Sequence, residues 1–158
     1  MNRNSTNGLG DNALALDDCI NFVLTRAQNI VFLNFRDQLA PFDVTPVQYA
    51  ILKCLWDSGD QSPTQLAQAL NLDASTITGI LDRMERKHLL KRVHSRKDRR
   101  AIIVTIKPSG KELQPQIEKI IAETNGAILG VLSQEEQNQF RSYIDRITVR
   151  AENFASEV

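Results

Sequence analysis

The stretch that decides the fold covers residues 62–106 and reads SPTQLAQALNLDASTITGILDRMERKHLLKRVHSRKDRRAIIVTI. Ser62-Pro63 is typical of a helix start, because Pro fits the first helical position and Ser caps the free N–H groups. Asn71-Leu72-Asp73 predicts a turn, and Asp73 or Ser75 is placed to cap a second helix that runs to about Lys87. This half of the stretch therefore predicts a helix–turn–helix.

The second half predicts a β-hairpin with a positively charged turn. Leu90–His94 and Ala101–Ile106 alternate as strands do, with Ile102, Val104 and Ile106 on one face, and the polar segment SRKDRR lies between them. A hairpin placed directly after a helix–turn–helix is typical of the winged form of this motif.

Positive charge is concentrated in one part of an otherwise neutral chain. The 158 residues carry no formal net charge, but residues 81–111 contain eleven Lys or Arg against three acids. Such a polarised distribution is the electrostatic footprint expected of a phosphate-binding surface. We therefore expect duplex DNA as the partner.

The predicted recognition helix has a buried and an exposed face. In a helix–turn–helix the second helix enters the major groove and its N-terminal residues meet the base edges. The residues predicted to face DNA are Ser75, Thr76, Thr78, Gly79 and Arg83, and the buried stripe is Ile77, Ile80, Leu81 and Met84. A mid-helix Gly costs about 1 kcal/mol relative to Ala, so Gly79 either allows a close approach to DNA or is merely tolerated.

The start of the supporting helix supplies a second set of predicted contacts. Ser62, Thr64 and Gln65 are placed to bind phosphate, because helix N-termini favour anions. Ordinary helix capping explains Ser62 and Ser75 equally well at this stage.

Helical periodicity flanks the motif on both sides. A first helix is predicted from Leu14 to Leu39, where Pro41 ends it, and Thr45-Pro46-Val47-Gln48 predicts the capping box of the next helix. After the hairpin, a long helix is predicted from Pro108 to about Leu132, and a second capping box at Ser133–Glu136 opens a last helix. Its apolar residues follow the spacing of a helix–helix seam: Phe140, Ile144, Ile147, Ala151 and Phe154.

The predicted organisation is a mainly α chain with a small β-hairpin wing. Residues 1–12 are predicted to form a disordered N-terminal arm, 13–40 a dimerisation helix, 41–107 the winged helix–turn–helix domain, and 108–158 the C-terminal dimerisation helices. Packing of the last seam on the preceding helix is the alternative. The surplus of apolar helix faces favours a homodimer.

The segment Asp98–Gly110, DRRAIIVTIKPSG, resembles the wing signature of the MarR family of winged-helix regulators. The resemblance implies a homodimer on a pseudo-palindromic operator, usually a repressor released by a ligand or an oxidant. It also implies that Arg100 enters the minor groove, that Asp98 holds the Arg100 guanidinium in a bidentate pair, and that Arg96, Lys97 and Arg99 neutralise phosphates. The chain departs from the family pattern at His88, where Gly is usual, and at Lys107, where Thr usually caps the next helix.

The resemblance also implies an effector pocket between the dimerisation helices and the DNA-binding lobe. On the first helix one face carries Cys19, Phe22, Val23, Arg26 and Ile30, and Phe42 and Tyr49 could supply aromatic walls. Arg26 is suited to pair with a carboxylate. We hypothesise an aromatic carboxylic acid or its coenzyme A thioester as effector. An intramolecular ion pair of Arg26 is the alternative.

Cys19 allows a different hypothesis, a thiol-based peroxide-sensing repressor, because sensors of organic hydroperoxides in the family carry their reactive thiol near this position. Such sensors place tyrosines around the sulfur, whereas Phe22 and Val23 occupy the next turn here and only Tyr49 remains as a partner. We rank this hypothesis below ligand sensing. Cys54 is predicted to be plain core.

Other classes of function find little support in the residues. The two histidines, His88 and His94, both lie in the basic region, and no catalytic set, metal-ligand cluster or cofactor motif stands out. No apolar run is long enough for a membrane span and two cysteines form no secreted framework, so a cytoplasmic protein is expected. The second function class is a helix–turn–helix protein acting mainly through protein partners, which a salt titration of DNA binding would distinguish.

Overall fold

The computed structural model describes residues 15–95, 98 and 100–157, and it is mainly helical with one β-hairpin, as predicted. The predicted arm at residues 1–12 lies outside the described residues. The helices are α1 Ile20–Leu39, α2 Pro46–Ser58, α3 Pro63–Ala69, α4 Ala74–Arg86, α5 Pro108–Glu112, α6 Gln114–Leu129 and α7 Gln134–Glu157; the strands are β1 Leu90–His94 and β2 Ile102–Ile106.

One hydrophobic core joins α2, α3, α4 and the hairpin to the end of α1 and the start of α6. Its largest fully buried side chains are Leu39, Ile51, Leu52, Leu66, Ile77, Leu81, Met84, Leu90, Val104 and Ile117. Because α4 and the hairpin share this core, the two predicted DNA-contacting elements are parts of one packed unit.

Capping boxes set the starts of α2 and α3. Thr45 Oγ1 accepts from the N–H of Gln48, and Gln48 Oε1 accepts from the N–H of Thr45. Ser62 and Gln65 exchange the same pair of hydrogen bonds at the start of α3. These contacts confirm the two predicted helix starts, and Gly59 ends α2 with a φ of 74°.

The hairpin is antiparallel, with Leu90 opposite Ile106 and His94 opposite Ile102. Gln61 extends the sheet at its edge through two backbone hydrogen bonds with Val104. The segment between α2 and α3 therefore fixes the hairpin to the helical lobe.

The backbone conformation at His88 accounts for the residue type found there. It lies in the left-handed region with a φ of 60°, directly after α4. The N–H of His88 donates to Glu85 O and that of Leu89 to Met84 O, which together form a Schellman motif. The site needs a positive φ, and His adopts it more readily than a β-branched residue does.

Two helix boundaries differ from the sequence prediction. The first helix does not run unbroken from Leu14, because a 3₁₀ turn at Leu16–Asp18 precedes α1 and Cys19 between them has a ψ of 110°. Asp17 and Asp18 are poor helix formers, and the apolar spacing continues through the interruption, so periodicity did not reveal it.

The predicted helix Pro108–Leu132 is divided into α5 and α6, with Leu113 between them. Pro115 is the physical reason, since it has no N–H to donate to Lys111 four residues earlier. Lys107 opens α5 without a side-chain cap, in agreement with its departure from the family pattern. The capping box of Ser133 and Glu136 opens α7 as predicted.

The helices at the two ends of the chain expose large apolar side chains. The exposed apolar residues on and beside them are Leu16, Ile20, Val23, Leu24, Ile30, Val31, Phe32, Leu33, Val131, Phe140, Tyr143, Ile147, Val149 and Phe154. Packing of the α7 seam on α6 alone does not bury it, because Phe140 and Phe154 stay 50% and 59% exposed. Among the described helices, none has the length and apolar character needed to cross a bilayer.

Candidate nucleic-acid interface

The recognition helix α4 has the two faces that the sequence predicts. Ile77, Ile80, Leu81 and Met84 are buried at 0–4% exposure. The opposite side presents Ser75, Thr76, Thr78 and Arg83 to solvent, with Gly79 half-buried. Burial of the apolar stripe fixes the rotation of the helix about its axis, which determines the side chains left available to a ligand.

The hydroxyl groups on the first two turns of α4 have their protons committed within the protein. Asp73 caps the helix through the N–H groups of Ser75 and Thr76 and also accepts from both hydroxyls, at 2.5 Å each. Thr78 Oγ1 donates to Ala74 O at 2.7 Å. Since a hydroxyl has one proton and two lone pairs, these three side chains are left as acceptors.

Hydrogen bonds from Ser75 and then Thr76 hold the pKa of Asp73 well below its usual range. The carboxylate therefore stays ionised and cannot donate. Capping and DNA contact were alternatives for Ser75 in the sequence; in the structure Asp73 is the cap and Ser75 is bound to it.

At the start of α3 the predicted contact residues keep hydrogen-bond donors, whereas the hydroxyls of α4 are left as acceptors. Ser62 Oγ and Gln65 Oε1 accept in the capping box, so the Ser62 hydroxyl proton and the Gln65 amide protons are not used there. Thr64 is exposed beside them. Among the described residues, no side-chain donor of these three is used in a hydrogen bond, and Ser62 serves as the cap at the same time.

Arg83 extends back along α4 towards its N-terminus. Its Nη1 lies 3.8 Å from where a Cβ at Gly79 would be, and nothing else approaches that position within 4 Å. Open space at Gly79 is compatible with a close approach of DNA and does not by itself require one.

The wing departs from one expectation. Asp98 does not pair with the Arg100 guanidinium in the described part of the chain; its carboxylate accepts the backbone N–H of Arg100 at 2.9 Å. Ala101 N–H donates to Asp98 O at 3.0 Å and Ser95 N–H to Ala101 O at 2.8 Å, which closes the tip of the hairpin. A backbone contact holds the turn while the exposed Arg100 side chain remains available. Arg96, Lys97 and Arg99 lie outside the described residues.

Gly110 anchors the wing to the lobe in a way that its place in the signature does not reveal. A Cβ at this position would lie 2.3 Å from Leu89 O and 2.9 Å from a side-chain carbon of Ile106. Trp56 Nε1 on α2 donates to Gly110 O at 3.1 Å. Only Gly allows α5 to pass this close to the base of the hairpin.

Arg92 is a functional candidate that the sequence prediction missed. In the sequence, Arg92 counts among the positive charges expected to face phosphate. In the structure its side chain binds two carboxylates of the recognition helix, Asp82 and Glu85. The three-residue spacing of these acids on one helix face, followed by an Arg in the next strand, was the available signal.

The residues predicted to line an effector pocket lie at the start of α1 and along it, in the turn that follows it and on α2. Val23, Arg26 and Ile30 are exposed on α1, and Cys19 and Phe22 are half-buried near its start. Phe42 lines a cavity of about 470 Å³ with Lys87, Leu89, Ser109 and Leu113.

Tyr49 lies on α2, with its ring centroid 6.4 Å from that of Trp56. Burial, followed by the nearby charge of Glu118, raises the pKa of Tyr49 against the lowering effect of Lys53. Within the described residues, neither Tyr49 nor any other side chain forms a hydrogen bond with the Cys19 sulfur.

Known proteins resemble this chain in sequence and structure. The sequence profile of the MarR family matches residues 44–102. The HTH-type transcriptional regulator MhqR of Bacillus subtilis (strain 168) is 29% identical over 132 residues, 84% of this chain and 91% of MhqR. The organic hydroperoxide resistance transcriptional regulator of the same organism is 28% identical, over 82% of this chain and 86% of its own.

Among solved structures, the transcriptional repressor CouR bound to a 23-mer DNA duplex superposes with a TM-score of 0.78 at 25% identity. The match covers 84% of this chain and 94% of that one. Sequence and fold therefore agree with the wing, the capped α4 and the flanking helices: residues 44–102 form a MarR-family domain, and the chain is similar to transcriptional regulators over most of its length.

Proposed function

We propose that this protein is a cytoplasmic, homodimeric repressor that binds a pseudo-palindromic DNA operator and is released by a small-molecule effector. The observation that carries the proposal is the exposure of the polar face of α4 and of Arg100 on one packed unit. The likeness to the DNA-bound repressor CouR supports it.

The proposed contacts are of two kinds, side chains with free hydrogen-bond donors and side chains that can only accept. Phosphate oxygens accept hydrogen bonds, so the free donors of Ser62 and Gln65 suit the DNA backbone. The acceptor lone pairs of Ser75, Thr76 and Thr78 suit base amino groups in the major groove, which cytosine N4 and adenine N6 supply. Arg83 and Arg100 are the charged contacts, the latter in the minor groove. The wing residues Arg96, Lys97 and Arg99, which lie outside the described residues, are proposed to neutralise phosphates.

Operator binding is tested with a duplex that the wild-type protein enriches from a random-sequence pool. We expect affinity to fall steeply with salt, and Arg100→Ala to weaken operator binding by about 1–3 kcal/mol, the size of one good base contact. Lys119→Ala is the matched control, because Lys119 is an exposed cation on α6, outside the proposed interface. A protein that enriches no duplex would favour the second function class, action through protein partners.

A dimer with one recognition helix in each half-site also predicts the operator's geometry. The two half-sites should lie about one helical turn apart, roughly 34 Å centre to centre. Footprinting of the enriched duplex measures this spacing.

For the effector we propose an aromatic carboxylic acid or its coenzyme A thioester, held by Arg26. Among the described residues, no ion pair or hydrogen bond occupies the Arg26 guanidinium, which removes support for the intramolecular alternative. A guanidinium on a largely apolar helix face fits a ligand that is an aromatic body with an anionic group. The other proposed pocket residues are Cys19, Phe22, Val23, Ile30, Phe42 and Tyr49.

Calorimetric titration of benzoate-type acids and their thioesters into wild-type protein and Arg26→Gln tests this assignment. We expect the substitution to weaken binding by at least tenfold, as the loss of a charged hydrogen bond implies. A bound ligand should also loosen the operator complex, because linkage is reciprocal. Unchanged affinity would remove Arg26 from the site.

Thiol sensing remains the lower-ranked alternative, since no hydrogen-bond partner of the Cys19 sulfur occurs in the described chain. Exposure of the operator complex to cumene hydroperoxide separates the two switches. Release of wild type but not of Cys19→Ser would favour the thiol over the ligand.

A further inference from the structure

The strongest unassigned feature is the cluster of charged groups between the recognition helix and the root of the wing. Arg92 on β1 donates its backbone N–H to Glu85 Oε1 at 3.0 Å, and its Nε and Nη2 to Glu85 Oε2 at 3.1 and 2.9 Å. Nη2 also binds Asp82. One residue of the wing therefore binds the recognition helix through its main chain and its side chain together.

This cluster is more enclosed than an ordinary surface ion pair. The Arg92 side chain is 28% exposed, and Glu85 and Asp82 are 37% and 49% exposed. Several charge-assisted hydrogen bonds together with partial burial are the conditions under which an Arg–carboxylate contact can fix geometry. Hydrogen bonds from the backbone N–H of Arg92 and then from its guanidinium keep the pKa of Glu85 below its usual range, so the pair stays charged.

The position of the cluster gives it a consequence for DNA reading. Asp82 and Glu85 lie on the second half of α4, one and two turns beyond Thr78, and Arg92 lies in the strand that leads to the hairpin tip with Arg100. A protein that reads the major groove with a helix and the minor groove with a wing needs a fixed distance between the two. A small change of wing position removes one contact or strains the other.

We propose that Arg92 is a positioning residue for operator recognition, which ties the wing to the recognition helix through Glu85 and Asp82 and does not itself contact DNA. The inference rests on the proposed DNA-binding function. It assigns Arg92 a role different from that of the other basic residues of the region, because its positive charge is already matched within the protein.

The test compares Arg92→Gln, the double variant Glu85→Gln/Arg92→Gln and the control Lys91→Gln. The double variant has the same net charge as wild type, so a change in binding cannot come from overall charge. Lys91 is the adjacent basic residue of β1, and its exposed side chain points to the other face of the hairpin. Affinities are measured for the enriched operator and for an unrelated duplex of equal length, over a range of salt.

For the double variant we expect operator affinity to fall by about tenfold, the equivalent of one lost base contact. Its affinity for the unrelated duplex and its salt dependence should stay as in wild type. Lys91→Gln should change both affinities by the same factor. A double variant that keeps the wild-type ratio of operator to unrelated affinity would overturn the inference.

A direct phosphate contact by Arg92 predicts something different. Arg92→Gln would then reduce the slope of log affinity against log salt by about 0.9 and lower both affinities, and that outcome also overturns the positioning role. If wild-type protein binds no duplex in a salt-dependent way, the proposed function itself fails, which is a separate result.

A fourth variant, Arg92→Lys, separates a positioning role from a loss of folding. Lysine keeps the charge but lacks the planar fork that reaches two carboxylates, so we expect the ratio to fall while the melting temperature stays close to that of wild type. A purely structural role would lower the melting temperature and leave the ratio of the folded protein unchanged.

Discussion

At the scale of single residues, Gly110 is the described glycine at which an added Cβ would come closest to another atom. Its Cβ would collide with the carbonyl oxygen of Leu89, a backbone atom that cannot rotate away. We expect Gly110→Ala to lower the free energy of unfolding by about 1–3 kcal/mol, the usual cost of overpacking. Gly126→Ala is the control, because nothing lies within 4 Å of its Cβ. Removing a helical Gly there should stabilise by about 1 kcal/mol. Urea denaturation measures both, and equal effects would contradict the close approach at Gly110.

Asp73 is the second residue whose role is decided locally. Its pKa lies below the ordinary value of 3.8, first because of Ser75 and then because of Thr76. A depressed carboxyl pKa stabilises the fold above the unfolded-state value, and this contribution is lost as the pH falls below it. We therefore expect wild type to lose stability below about pH 4 more steeply than Asp73→Asn. The melting temperatures of both proteins, measured between pH 2.5 and 7, show the difference in steepness. Parallel curves for the two proteins would show that the cap does not stay charged.

Asp73 also determines the donor and acceptor character of the first turn of α4. Replacing it with Ala frees the hydroxyl protons of Ser75 and Thr76. We expect Asp73→Ala to relax discrimination at one operator position where the wild type requires cytosine or adenine, by about 1–3 kcal/mol. Enrichment of random duplexes by both proteins measures the preference, and the enriched base tells which amino group is bound. An unchanged preference at every position would contradict the acceptor assignment.

At the scale of elements, one side chain of α2 adds a hydrogen bond at the base of the wing to the shared hydrophobic core. Trp56 on α2 donates to the carbonyl of Gly110 on α5, just after β2. Trp56→Phe keeps most of the ring and removes the donor, so the loss should be about 1 kcal/mol of stability, the net value of one hydrogen bond. Circular dichroism is the suitable probe, because the substitution removes the only tryptophan of the chain. Tyr49→Phe on the same helix is the control, and a Trp56→Phe protein as stable as this control would show that the bond contributes nothing.

At the scale of the whole molecule, the apolar surface of α1 and α7 is left uncovered by the part of the chain that the structure describes. Phe140, Ile147 and Phe154 are 40–59% exposed along one seam of α7, and surfaces of this kind usually mark an interface. We expect Ile147→Asp to convert the proposed dimer to a monomer and to abolish tight operator binding, because a monomer engages only one half-site. Light scattering after gel filtration measures the mass. Thr148→Asp introduces the same charge at the neighbouring exposed position; dissociation of both variants alike would argue against a specific seam.

Sequence alone determined the features that depend on local chemistry. The capping boxes at Thr45, Ser62 and Ser133, the buried stripe of α4 and the positive φ of His88 are all set by a few adjacent residues. The sequence also located the basic wing, because the density of charged residues and the alternation of apolar and polar residues in strands can be counted directly along the chain.

Tertiary structure decided which groups the functional residues bind. The wing signature implied that Asp98 binds the Arg100 guanidinium. The closed hairpin shows that the Asp98 carboxylate accepts the backbone N–H of Arg100. The charge count of the sequence put Arg92 among the residues expected to bind phosphate. The packing of β1 on α4 brings its guanidinium to Asp82 and Glu85. The physical reason is the same in both cases: a local pattern specifies a residue's charge and its face, whereas its partner depends on which distant element packs against that face.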